Sequence, residues 1–114
     1  MFQQAFSSEL SKTGIKSSLH LLLVEDVPED IELIVLSLSN ANLEFTYDVA
    51  QTDVIYQQKL QQQTYSAILA DYRLPGFNGL EAFELLKKSG QQIPFILVTG
   101  SLGEEAAVEQ NRFA

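Results

Sequence analysis

Short apolar runs alternate along this chain with segments of helical spacing. Leu19–Val24 is apolar apart from one residue and too short for a buried helix, so it reads as a strand. Pro28 suits the first position of a following helix, and Glu29, Asp30 and Glu32 load its first turn with negative charge. Ile31, Ile34, Val35 and Leu38 then recur at i, i+3, i+4 and i+7, one apolar stripe, and Asn40–Asn42 closes the helix. Leu43–Val49, with Phe45, Thr46 and Tyr47 among polar neighbours, reads as an edge strand. A second helix is expected from Thr52 to Gln63, glutamine-rich on its solvent face, with Val54, Ile55, Tyr56 and Leu60 inside.

Tyr65–Ala70 is another apolar strand, running into Asp71. The turn signals Leu74-Pro75-Gly76 and Asn78-Gly79 lead to a helix over Leu80–Ser89 that Gly90 terminates. Pro94–Thr99 is a further strand, Gly100–Gly103 a loop, and Glu104 onward a final helix. The order β-α-β-α-β-α-β-α, with continuous apolar strands, predicts a doubly wound α/β domain: a parallel sheet with helices on both faces.

Composition narrows the chemistry. The 114 residues suit one domain, with residues 1–18 expected to be a flexible polar extension and 19–114 the folded unit. A net charge of −8 with only seven Lys and Arg argues against a nucleic-acid surface. The chain has no cysteine, which excludes disulfides and thiolate metal sites, and only one histidine, His20. No apolar run is long enough to cross a membrane, and the first residues lack a secretory signal pattern, so a cytoplasmic location is expected.

In open α/β sheets, functional groups gather outside the carboxyl ends of the strands. Three of those ends carry Glu25-Asp26, Asp71 and Thr99. Singly, Asp26 reads as a helix cap, Asp71 as a turn residue and Thr99 as an ordinary strand residue. Together they place repelling carboxylates beside a hydroxyl, which is unfavourable unless a proton or a cation intervenes. A hard divalent ion with oxygen ligands, Mg²⁺ above all, resolves the repulsion. An Asp held there can attack a phosphoryl group. Glu29, Asp30 and Glu32 are read as first-turn acids, contributing on the order of 0.3–1 kcal/mol each through the helix dipole.

The same residues resemble a known family, the receiver domain of two-component response regulators. LLLVEDVPED resembles its first strand, acidic pair and first-helix Pro; ILADYRLPGFNGLE its phospho-acceptor strand and loop; and PFILVTGS its switch-hydroxyl strand. The resemblance implies a flavodoxin-like fold with strand order 2-1-3-4-5, and Asp71 as phospho-acceptor, fed by a sensor histidine kinase or phosphotransfer domain. It further implies Mg²⁺ held by Glu25, Asp26, Asp71 and the backbone carbonyl of Arg73, with Thr99 as the switch hydroxyl.

A receiver continues to a fifth strand ending in a Lys and to a fifth helix. No lysine of this chain follows an apolar strand, so the expectation is a truncated receiver, with order 2-1-3-4 and impaired phosphorylation. The exposed fourth-strand edge and an uncovered first-helix face would then favour a homodimer. The alternative reading is a receiver-like interaction module that carries no phosphate. A small phosphatase fits less well, because Arg73 stands where such enzymes have a second Asp.

Overall fold

In the computed structural model, the described residues are 18–72, 74, 76–99 and 107–111, with Thr99 and 107–111 described by backbone alone. Residues 1–17 of the expected extension and Arg73 lie outside them.

The elements are β1 (Leu19–Val24), α1 (Pro28–Asn40), β2 (Phe45–Ala50), α2 (Asp53–Gln62), β3 (Ala67–Asp71), α3 (Gly79–Ser89), β4 (Phe95–Thr99) and β5 (Ala107–Asn111). They form one five-stranded sheet in the order β2-β1-β3-β4-β5, the first four strands parallel. The expected order 2-1-3-4, with helices on both faces, is therefore present.

Apolar runs become strands here because both faces of the sheet are covered. Leu21, Leu22, Leu23 and Val24 are all fully buried, yet alternate residues belong to different cores. Leu22, Val24, Ile68, Ala70, Phe95 and Leu97 pack with Tyr56 and Leu60 of α2 and Ala82 and Leu86 of α3. Leu21, Leu23, Leu69, Ile96 and Val98 pack with Ile34 and Leu38 of α1. Each such aliphatic side chain contributes about 1.5–3 kcal/mol of burial.

Local chemistry sets the helix boundaries. Thr52 caps α2, its Oγ1 accepting from the Ile55 N–H at 3.2 Å. Asn78 and Glu81 form a reciprocal capping box at the start of α3, with both bonds 2.9 Å long. Gly90, at φ 79°, ends α3 in the left-handed conformation that suits glycine. The α2 and α3 helices are joined by the buried Tyr56 hydroxyl, which donates to the Ala82 carbonyl at 2.7 Å. Tyr56→Phe is expected to cost about 1 kcal/mol, the usual net value of one such bond; equal urea midpoints for the two proteins would contradict this.

One expectation is overturned. The segment from Glu104 onward was expected to be helical, leaving β4 as an exposed edge; instead Ala107–Asn111 is a strand, antiparallel to β4, with Val98 opposite Val108. The unpaired backbone of an apolar edge strand is a stronger determinant than the high helix propensity of Glu and Ala. Geometry fixes the direction. Only seven residues, 100–106, separate the strands, whereas a parallel return needs a crossover of about a dozen or more. The family's parallel fifth strand is therefore not what borders β4, and the strand-edge dimer contact loses its basis. On the other expected dimer surface, α1 does expose Leu36.

The amino ends of the strands carry a polar cluster of their own. The His20 ring stacks on Tyr65 with centroids 4.8 Å apart, and its nitrogens pair with Thr46 Oγ1 and Gln63 Oε1, both at 2.8 Å. Tyr65 donates its hydroxyl to Asp48 at 2.7 Å, the main reason the Asp48 carboxyl is held below the usual range. The single histidine thus staples β1, β2 and the entry to β3, at the opposite end of the strands from Glu25 and Asp71.

Candidate metal centre

Register brings the acidic residues together. Val24 pairs with Ala70, so the next residue on each strand, Glu25 and Asp71, emerges side by side. The Glu25 N–H still donates to the Ala50 carbonyl at 3.2 Å, which holds its backbone in line with the sheet. Asp71 pairs in turn with Val98, and Thr99 ends β4 one residue further on.

Glu25 is the buried polar residue of the described core, only 1 % exposed. Its Oε2 accepts from the N–H groups of Asp26 at 3.0 Å and Val27 at 3.1 Å, folding the side chain back over the β1–α1 turn. Its Oε1 is buried without a hydrogen-bond donor. Burial pushes the carboxyl up to about 8, with the neighbouring Asp71 adding to the shift and the Val27 and Asp26 amides opposing it. Two carboxyl groups hydrogen-bond only when one carries a proton, so the pair invites either a proton or a cation.

A third carboxylate completes the group. Oxygens of Glu25, Asp30 and Asp71 all lie within 4.8 Å of one another. Asp30 occupies the first turn of α1, half-buried, its N–H donating to the Val27 carbonyl at 3.0 Å. Its carboxyl is raised above the ordinary range by partial burial, then by the charges of Asp71, Glu29 and Asp26. Three hard oxygen donors, one of them buried with an orphaned oxygen, are a set that a small divalent cation fits.

The expected site residues are therefore placed unequally. Glu25 and Asp71 meet. Asp26 is half-buried beside them, outside the three-carboxylate group, and does not cap α1, whose N-cap is Val27 with no side-chain bond. Thr99 is at the expected strand end, with its hydroxyl outside the described atoms, as is the whole of Arg73. Asp30, expected only as a first-turn acid, lies in the cluster. The signal was available: Asp30 stands four residues before Ile34 and eight before Leu38, on the buried stripe of α1, whereas Glu29 and Glu32 are exposed.

The neighbouring α3 is set tightly against this group. A Cβ on Gly79 would lie 3.1 Å from the Asp71 carbonyl oxygen and would overlap Leu97 Cδ1. A separate groove of about 400 Å³, lined by Asp53, Gln57, Phe77, Leu80, Glu84 and Lys88 among others, runs between α2 and α3 and includes none of the three carboxylates.

Comparison with known proteins gives a consistent result. The family profile described as the response regulator receiver domain matches residues 21–112. The uncharacterized transcriptional regulatory protein YkoG of Bacillus subtilis (strain 168) is 32 % identical over 80 residues, covering 70 % of this chain and 34 % of its own. The chain thus spans about a third of that relative's length. The receiver domain of the sensor histidine kinase PA1611 from Pseudomonas aeruginosa PAO1, solved with magnesium in its active-site cleft, superposes with a TM-score of 0.60 at 26 % identity. That match covers 71 % of this chain and 66 % of the other. TrrA of Thermotoga maritima, solved in complex with Mg²⁺-BeF, superposes with a TM-score of 0.63 at 24 % identity, covering 76 % and 74 %.

Proposed function

This chain belongs to the response regulator receiver domain family, and we propose that it takes a phosphoryl group onto Asp71 in a Mg²⁺-dependent reaction. The observation that carries the reading is the buried Glu25 carboxyl, with its orphaned Oε1, set against Asp71. A structural role alone does not account for a buried carboxyl with one oxygen lacking a donor beside a second carboxyl, because the arrangement destabilises the fold.

Glu25, Asp26, Asp71 and the Arg73 carbonyl are the proposed Mg²⁺-holding groups. The ion, when bound, supplies positive charge that offsets the carboxylates and the incoming phosphoryl oxygens. Asp71 is the nucleophile: a carboxylate oxygen bonds to phosphorus as the bond to the donor imidazole nitrogen breaks, and the imidazole takes up a proton. The Glu25 side chain is held by two backbone amides, so it is pre-positioned beside that reaction. The Thr99 hydroxyl is the proposed donor to a phosphoryl oxygen after transfer. The donor protein is a sensor histidine kinase or phosphotransfer domain, and the location is cytoplasmic.

One observation favours the second reading, an interaction module without phosphate. The lysines among the described residues are Lys59, Lys87 and Lys88, all on α2 or α3, so none ends a strand beside Asp71. A cation there would stabilise the acyl phosphate. The test is incubation with acetyl phosphate and Mg²⁺, read by intact mass. A phosphoryl adduct is expected in the parent protein and absent from Asp71→Asn; an adduct that persists in Asp71→Asn, or no adduct in either, removes the acceptor reading.

A further inference from the structure

The helix-borne Asp30 is a carboxylate that the acceptor chemistry above does not use. Its oxygen lies within 4.8 Å of oxygens of both Glu25 and Asp71, although it comes from α1 rather than from a strand end. Glu29 and Glu32, on the same helix turn, are exposed and outside this group. A first-turn acid needs only the helix dipole and solvent, as those two have. Asp30 instead faces two carboxylates, which is a repulsive placement unless a cation offsets it.

A second observation points to the ligand. Glu25 is 1 % exposed, and its Oε1 is buried with no donor, so the strand side of the group presents an oxygen open to a proton, a water or a cation. Asp30 closes the helix side of the same space.

We propose that Asp30 is a further residue of the divalent-cation site, setting its affinity by adding a third converging carboxylate from α1. This rests on the Mg²⁺ reading of Glu25 and Asp71. Mg²⁺ keeps several waters when one or two carboxylates hold it. Asp30 is therefore a positioning residue, directed at the ion or its waters, and contributes nothing to the nucleophile. A full negative charge close to a divalent ion, partly shielded from solvent, is worth roughly tenfold in affinity.

Calorimetric Mg²⁺ titration of the parent, Asp30→Asn and Glu32→Gln tests this without reference to phosphorylation. Asp30→Asn is expected to weaken Mg²⁺ binding about tenfold, while Glu32→Gln, the same charge change at an exposed position, moves it less than about twofold. The metal-free Asp30→Asn protein should melt at or above the parent temperature, since the change relieves repulsion. Equal weakening by the two variants would show a long-range field only and overturn the proposal, as would unchanged affinity in Asp30→Asn. A parent protein that binds no Mg²⁺ would instead overturn the site reading beneath it. Loss of affinity together with a lowered metal-free melting temperature would also count against it, since that pattern marks a structural role.

Discussion

Glu25→Gln should make the metal-free protein more stable at pH 8 while removing its Mg²⁺ affinity. The Glu25 carboxyl is raised from 4.5 to about 8 in the folded state, mainly by burial. The native state therefore holds a proton that the unfolded chain has released between those two values. Stability must fall as pH rises through that window, and the full penalty is present above pH 8. At 1.36 kcal/mol per pKa unit the ceiling is near 5 kcal/mol, and relaxation together with coupling to Asp71 brings the expected effect below it.

Glutamine keeps the shape and one acceptor for the Asp26 and Val27 amides, and its NH₂ group can donate to Asp71. The variant should lack the stability slope between pH 5 and 8, so that the two proteins differ little at pH 5 and clearly at pH 8. Urea unfolding in EDTA at both pH values measures this directly. A parent protein equally stable at the two pH values, or a Gln variant less stable at pH 8, would be incompatible with a buried unneutralised carboxyl. Adding Mg²⁺ should stabilise the parent at pH 8 and leave the variant unmoved.

Gly79→Ala is expected to destabilise the fold by about 1–3 kcal/mol, although alanine is the better helix former. The added methyl would overlap Leu97 Cδ1 and approach the Asp71 carbonyl oxygen to 3.1 Å. Leu97 is 2 % exposed and packed among Ile68, Phe95 and Leu86, so its tip has no free space to enter. The start of α3 must then lift from the end of β3, which carries Asp71. Leu97→Val in the same chain removes the overlapped methyl, so the double variant should recover part of the loss, a coupling that independent sites would not show. A shift in urea midpoint near zero for Gly79→Ala would mean that α3 has room to accept a methyl group against β3 and Leu97.

The two carboxylate positions differ in how visible they were. Glu25 and Asp71 follow directly on apolar strands, so the parallel α/β pattern alone sends them to the same edge. Asp30 sits inside a helix start rich in acids, where its type is unremarkable; only its phase relative to Ile34 and Leu38 distinguishes it from Glu29 and Glu32. The partly buried face of α1 begins at Asp30, one residue before Ile31, the first apolar residue of the stripe.

Ala107–Asn111 departs from its sequence expectation for a related reason. The residues of Ala107–Asn111 have no strong preference, and alanine with glutamate favours a helix in isolation. Their conformation is set by the partner, since β4 offers a row of unpaired backbone groups that a short returning segment can satisfy.

By itself, then, the sequence determined the alternation of strands and helices, the burial of both sheet faces and the carboxyl ends at which Glu25 and Asp71 stand. Those follow from periodicity and apolar content, which are local. Only the tertiary structure decided that Glu25 is buried with an orphaned oxygen, that Asp30 rather than its exposed neighbours joins the group, and that β5 closes the β4 edge. Those depend on register, helix phase and backbone pairing between segments distant in the chain, and no single segment carries them.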